Sequence, residues 1–523
     1  MKQSHRKNDG SMTTLIRTTW LSHPEFWIAT GPQQKKADRF LYDTFRWYNA
    51  SGEDAFGQIL YLDQLVRHFS RCETISEEVI EDCRIAASYL VESLGSAFLN
   101  GVSQEELVWY LMPWKHLGHY EPLFKQIDTW ISAKRQPLTD FSLLNRFFMD
   151  SYRKAYTPAA VAATVQLVDS DNTYNYNAEA ICESHPSAYT GDLETWQRKP
   201  LPLSASRGFL SRLPSHGPVT ISLSGGVDSM LLAALLKRKG CDVVAAHIVY
   251  GNRRESEAEA NFVATYCQRL GIPLYVYRVQ WLRRTSVDRA FYEEMTRFLR
   301  FSMYKALGSD RPVYLGHIQE DAVENVWTNF AHGCHLDDLI KFQAEAVEDG
   351  VTICRPWLHV KKQTIYRVAD ALAIPHLKNT TPSWSNRGKF RSAFYGATHQ
   401  QYGPSVDDKV LEVAGRLKAQ AALLDRLLYQ PILATWTADK QLNVTLAVQN
   451  NLDAEGWDHL LTQVAHVHLR IPKPRFVAVQ DFVTRLSRLL QDHRDHQVIS
   501  LRKDLVVIII KKEEETWLVF SHP

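Results

Sequence analysis

Hydrophobic positions along the chain change their period three times. From about residue 20 to 155, segments such as AFGQILYLDQLVRHFSR (from Ala55) and CRIAASYLVESLGSAFLNG (from Cys83) carry apolar residues three and four apart, the spacing of an amphipathic helix face. β-Branched alternation is sparse there, so an all-helical domain of several short helices is expected over 20–155. From 156 to 215 the chain turns rich in Ser, Thr, Asn, Asp and Pro, a composition that predicts a linker. At Val219 a regular alternation begins. VTISL, DVVAAHIVYG, PLYVYRV and PVYLGH read as strands, and helix-like stretches follow each of them. Strand–helix alternation across short Gly or Pro junctions predicts parallel βαβ units. A central α/β domain with a doubly wound parallel sheet is therefore expected over 216–400. Beyond 400, DDKVLEVAGRLKAQAALLDRLL and FVTRLSRLL read as helices and DLVVIIIKKEEETWLVF as a hairpin. These predict a small α+β region over 401–523.

Composition narrows the class. A chain of 523 residues is too long for one ordinary core, and about two to four domains are expected. Sixty Lys and Arg stand against 58 Asp and Glu, so a tail devoted to nucleic acid is not expected, although a local basic groove fits within a neutral total. The longest apolar run, LVVIIIKK from Leu505, is far too short to span a bilayer, and no membrane association is expected. MKQSHRKNDGSM at the start has no apolar core behind its charges, so a secretory signal is not expected either. The seven cysteines are scattered, with no Cys-x-x-Cys pair. That fits reduced thiols in a cytoplasmic protein and argues against a zinc ribbon or a cysteine-held iron–sulfur cluster.

The densest chemistry lies at Ser224-Gly225-Gly226-Val227-Asp228-Ser229, between a strand and a helix. Unpaired N–H groups and the positive dipole end make a helix start suited to anions. The glycines let backbone approach a phosphate, the serines add donors, and Asp228 suits Mg²⁺ or a metal-bound water. The bland alternative is a turn in which Ser or Asp caps the helix. The absence of Gly-Lys-Ser/Thr after the loop excludes a Walker-type site.

The stretch SLSGGVDS resembles the pyrophosphate loop of the N-type ATP pyrophosphatases, the PP-loop superfamily with its adenine nucleotide alpha hydrolase-like fold. Further stretches are similar to tRNA(Ile)-lysidine synthases. His247, Gly251 and Arg253 match a strand ending in His that runs into a Gly-x-Arg turn, which implies that His247 flanks adenine. Arg297 and Arg300 match an Arg-x-x-Arg helix, where three-residue spacing lets both point at one anion. His317, Asp321 and Glu324 match His-x-x-Asp-Asp-x-x-Glu-Thr, with Glu320 and Asn325 as departures. At helical spacing residues 317, 320, 321 and 324 share one face, suited to Mg²⁺ and to deprotonating an amine; acids in a helix's first turn are the plainer reading. Arg355-Pro356 matches the end of the catalytic domain. Asn386, Arg387, Lys389 and Arg391 form a shortened version of the basic motif that follows, without its expected Asp.

The resemblance implies an ATP-dependent ligase that adenylates a tRNA cytidine and joins lysine to it. It implies Ser224 to Ser229 and His247 for ATP, and Asp228 and Asp321 for Mg²⁺. Asp228, Arg297, Arg300, His317, Asp321 and Glu324 are implied for catalysis, and Arg253, Arg387, Lys389 and Arg391 for RNA. Three alternatives stand beside it: a tRNA thiolase, a small-molecule amide synthetase and an ATP-binding scaffold. The N-terminal region resembles instead a helical bacterial domain family of unknown function, through Asp63, Gln64, Arg67, Arg71 and His116. Those residues read either as a buried Asp–Arg network or as a small-ligand or partner site.

Overall fold

Side chains alternate faces along a strand, so a sheet buried on both sides needs two covers. The computed structural model shows both. It describes residues 11–27, 30–46, 54–95, 99, 101–168, 188–189, 209–252, 255–308, 310–334, 339–378, 386–491 and 496–521. Packing divides the chain into two units, one of residues 1–318 with 344–380 and one of 319–343 with 381–523.

Among its described residues the first unit holds nine strands: β1 (Gln166–Leu167), β2 (Ala188–Tyr189), β3 (Pro218–Ser222), β4 (Asp242–Val249), β5 (Leu274–Arg278), β6 (Val313–Tyr314), β7 (Glu345–Glu348), β8 (Val351–Cys354) and β9 (His376–Leu377). Seven of them form one sheet in the order β1-β5-β4-β3-β6-β8-β7. The inner five are parallel, and β1 and β7 close the edges antiparallel. β2 and β9 pair separately. The chain runs β3, β4, β5 toward one edge and then returns to place β6 on the other side of β3. That reversal is the switch point at which such sheets bind ligands, beyond the carboxyl ends of the strands.

Neighbouring residues on one strand enter different cores. Ala245 and Val276 pack with the helices Val227–Arg238, Ser256–Leu270 and Lys362–Leu372, whereas Ala246 and Tyr277 pack on the opposite face. The second cover is the helix Arg289–Ala306 together with the N-terminal helices, whose Trp109, Trp130, Phe148 and Tyr152 share one continuous cluster with Ala246, Phe291 and Val313. The buried Tyr152 hydroxyl donates to the Gln280 carbonyl at 3.0 Å. The helical region expected from its periodicity is present, and it forms a layer of the α/β unit.

Residues 156–168 differ from the expected linker. Thr157 caps a helix, Pro158–Thr164, by accepting from Ala160 N, and Gln166–Leu167 adds β1 to the sheet edge. Thr before Pro at the first helical position, followed by alanines, is a helix-start signature that a reading of bulk composition passes over.

In the second unit the helices Gln319–Ala331 and Val406–Leu424 join around Val326, Leu339 and Ala414. Four antiparallel strands, β10 (Gln441–Asn443), β11 (His496–Arg502), β12 (Leu505–Lys512) and β13 (Glu515–Ser521), run in the order β10-β13-β12-β11. Val507, Ile509 and Leu518 of that sheet meet Trp457 and Phe482 from the helices Ala454–Gln463 and Phe476–Gln491. Among the described residues no helix is long and apolar enough to cross a membrane.

Candidate functional site

The loop after β3 is built mainly from backbone. Leu223 N donates to Ala246 O at 2.8 Å, and the chain turns through Gly225 at φ +82°. Gly226 is the N-cap of the helix Val227–Arg238, and no side chain caps it. The serines brace the loop instead. Ser229 Oγ donates to Gly226 O at 3.1 Å, accepts from Ser224 N at 3.2 Å and lies 3.1 Å from Ser224 Oγ. The capped-turn alternative is thus absent, and the first-turn amides keep the geometry that suits an anion.

Two close approaches fix the loop. Leu377 N donates to Gly225 O at 2.9 Å. Beyond β6, a Cβ on Gly316 would lie 2.9 Å from Ser229 N and 3.0 Å from Asp228 C. Only a glycine lets the end of β6 lie against the helix start, so the loop sits at the switch point between β3 and β6.

Asp228 stands in that first turn. Lys362 Nζ lies 2.6 Å from its Oδ2, while Oδ1 is buried with no hydrogen-bond partner among the described residues. A buried carboxylate oxygen left without a donor is costly, and it fits a cation. Mg²⁺ is commonly held by one or two carboxylates plus substrate phosphates, and Asp228 meets that requirement. Lys362 opens the helix Lys362–Leu372 with its ammonium 5.3 Å from the Tyr366 ring centre. The sequence reading did not single it out.

His247 supports the loop from β4. Its ring is buried, and burial pushes the imidazole pKa below its ordinary value. The neutral ring donates from Nδ1 to Leu223 O at 2.7 Å, tying β4 to the strand that enters the loop.

His317 does not lie on the helix that follows it, contrary to the expected shared face. The helix begins at Gln319, and residues 315–318 are not helical. The buried Arg355 donates from Nε to His317 Nδ1 at 3.0 Å. Because a guanidinium can only donate, Nδ1 accepts and Nε2 carries the ring proton. Arg355 also pairs with Glu348 Oε1 at 2.5 Å. Burial raises the Glu348 carboxyl pKa, but Arg355 and Arg297 outweigh it and hold the pKa low.

Arg297 pairs with Glu348 directly, and Arg300 lies within electrostatic reach of the same carboxylate. Arg297 binds Glu348 at 3.2 Å and Asp349 at 3.0 Å, half exposed over the Phe301 ring. Arg300 is deeper. Burial lowers its pKa, but Tyr250, Tyr304 and Glu348 outweigh it and leave the guanidinium above its ordinary value.

In the second unit, Arg391 donates to Asp321 Oδ1 at 2.8 Å and stands 3.6 Å from Glu324 Oε2. Burial raises the Glu324 carboxyl above the usual range, and Arg391 opposes it only in part. The basic residue read for RNA therefore clamps two of the acids read for catalysis. Lys389 is exposed. Arg253 and the side chains of Asn386 and Arg387 lie outside the described residues. Asp228 and Asp321, read as a Mg²⁺ pair, fall in the first and second units respectively.

Residues 204–387, the segment that holds this loop, match the family described as a PP-loop domain. Among curated proteins the chain is similar to tRNA(Ile)-lysidine synthases. It is 26% identical to that of Chlamydia trachomatis serovar A over 50% of this chain and 91% of the relative. It is 29% identical to that of Chlamydia felis over 39% of this chain and 66% of the relative. Among solved structures, the U34-tRNA thiolase NcsA from Methanococcus maripaludis, with its 4Fe–4S cluster, aligns at a TM-score of 0.32 and 16% identity, covering 47% of this chain and 82% of that one.

Proposed function

We propose that this chain is an ATP-dependent tRNA-modifying ligase of the tRNA(Ile)-lysidine synthase type, acting in the cytoplasm on a cytidine of tRNA with lysine as co-substrate. The observation that carries the reading is the side-chain-uncapped helix start at Gly226, with the partnerless Asp228 Oδ1 in its first turn, inside a segment whose relatives are lysidine synthases.

The loop from Ser224 to Ser229 binds the phosphates of ATP through its amides, and His247 holds the strand beside the adenine. Asp228 would hold Mg²⁺, which would supply charge neutralisation on the phosphates. The base oxygen of the cytidine attacks the α-phosphorus. A phosphorus–oxygen bond forms, the bond to the β-phosphate breaks, and pyrophosphate leaves with its charge stabilised by the loop amides. Lys362, already at Asp228, adds a cation there. Lysine's amine then attacks the activated base carbon, the carbon–oxygen bond to AMP breaks, and Glu324 accepts the proton lost by the amine.

Pyrophosphate release from labelled ATP tests the reading, with lysine and bulk tRNA supplied together or singly. Release over many turnovers that requires both supports it. Release with a small carboxylic acid and no RNA replaces it with an amide synthetase. ATP binding with no release under any condition replaces it with a scaffold.

A further inference from the structure

Two of the carboxylate-centred clusters among the described residues of the helical region are finished differently. In one, Asp38 is saturated. Arg71 donates to both of its oxygens at 2.8 and 2.7 Å, His68 Nδ1 lies 2.6 Å away and Gln34 donates at 2.9 Å. This is a closed ion pair that needs no further partner.

The other begins at the buried Asp63, which sits in the π-helical turn Tyr61–Leu65 between the helices Ala55–Leu60 and Val66–Phe69. His116 Nδ1 lies 2.8 Å from Asp63 Oδ1, and Arg67 Nη1 lies 3.0 Å from His116 Nε2. Arg67 must donate there, so the ring is neutral and its Nδ1–H donates to Asp63. Among the described residues, that neutral nitrogen is the one hydrogen-bond partner of the Arg67 guanidinium. Beside it, on the helix Glu77–Leu94, Arg84 spends one Nη on Glu81 at 3.0 Å, and its Nε is buried with no partner among the described residues.

Two guanidiniums on adjoining helices thus keep donors that no carboxylate takes. Burial lowers the pKa of Arg67; Asp63 and Glu77 oppose it, while the like charges of Arg84 and Arg71 add to it. Clustered guanidiniums of this kind suit planar or tetrahedral oxyanions, and π-helical turns are frequent at functional sites.

We propose that Arg67 and Arg84, with His116 and Asp63 holding Arg67 in place, form a binding site for the oxyanion of a small molecule, a phosphate or a carboxylate. The site lies in the helical region and is separate from the PP-loop. Arg67 and Arg84 contact the ligand, whereas Asp63 and His116 are positioning residues.

The test is calorimetric titration of the full chain with inorganic phosphate and, separately, with malonate. Ionic strength is held constant with chloride, and the PP-loop is pre-saturated with a non-hydrolysable ATP analogue. One of the two probes is expected to bind, and which one does separates the phosphate from the carboxylate source. Arg67→Gln and Arg84→Gln should each weaken that binding by about tenfold or more, as expected for losing a hydrogen bond to a charged group, with affinity for the ATP analogue unchanged. Arg84→Gln guards against misfolding of the more buried Arg67 variant, and circular dichroism melts check both. The proposal is overturned if neither probe binds at millimolar concentration or if binding persists in both folded variants.

Discussion

The PP-loop and the Asp63 cluster belong to one packed unit, yet they are made of different material. At the loop, position is set by backbone: a positive-φ glycine, a glycine N-cap and a strand end pressed against the helix start. In the Asp63 cluster, position is set by a relay of side chains passing from Asp63 through His116 to Arg67. A backbone site tolerates few residue types where a Cβ would intrude, as at Gly225 and Gly316. A side-chain site depends on partners far apart in the chain, and one substitution breaks it by leaving the next group unpaired.

Substitutions at the loop should break activity with little effect on folding, and the largest effect is expected from Asp228→Asn. Pyrophosphate release should fall on the order of 10²–10³-fold, the scale for removing a group that stabilises developing charge. A melt unchanged from the parent would separate this from unfolding. Next, Gly316→Ala should push its Cβ into Ser229 N and displace the loop. A loss of up to about 10²-fold follows from small misplacements of reacting groups; parent-level release would show that the contact is not needed. Lys362→Ala should cost roughly tenfold, by loss of a charged partner, and should appear mainly in the KM for ATP. An effect confined to kcat would move Lys362 from binding to the chemical step.

The smallest effect sharpens the contrast through pH. Burial raises the Glu324 carboxyl. As a base it must be ionised, so as pH falls the rate should begin to drop above the ordinary Glu range of about 4.3. Glu324→Gln should flatten that acidic limb in the lysine step, while adenylation continues. A limb unchanged in Glu324→Gln would assign the titration to another group.

The same contrast governs what was legible in the sequence. SGGVDS could be read because backbone demands leave glycines at fixed offsets, and the strands could be read from their alternation. Lys362 could not, because its partner Asp228 lies 134 positions away and a lysine at a helix start carries no local mark. The same holds for the grip of Arg391 on Asp321 and Glu324, which reading by motif had assigned to RNA. His317 was placed on a helix because its spacing to the acids is helical, but spacing alone does not show where the first turn begins. The residues of the Asp63 cluster were visible as a motif, yet the closed pairing of Arg71 with Asp38 and the remaining donors of Arg67 emerge only from the packing.

Ala246, Tyr277 and Val313 turn away from the helices that flank the PP-loop and bury themselves against the N-terminal layer. A fragment spanning only residues 204–387, the extent of the matched domain, would therefore keep only the helix Arg289–Ala306 over that face and lose the N-terminal part of its cover. It would present a broad apolar surface of the kind that drives self-association. For anyone cutting this chain into pieces for expression or fusion, the boundary of the recognisable domain is not the boundary of the smallest portion that can be handled alone.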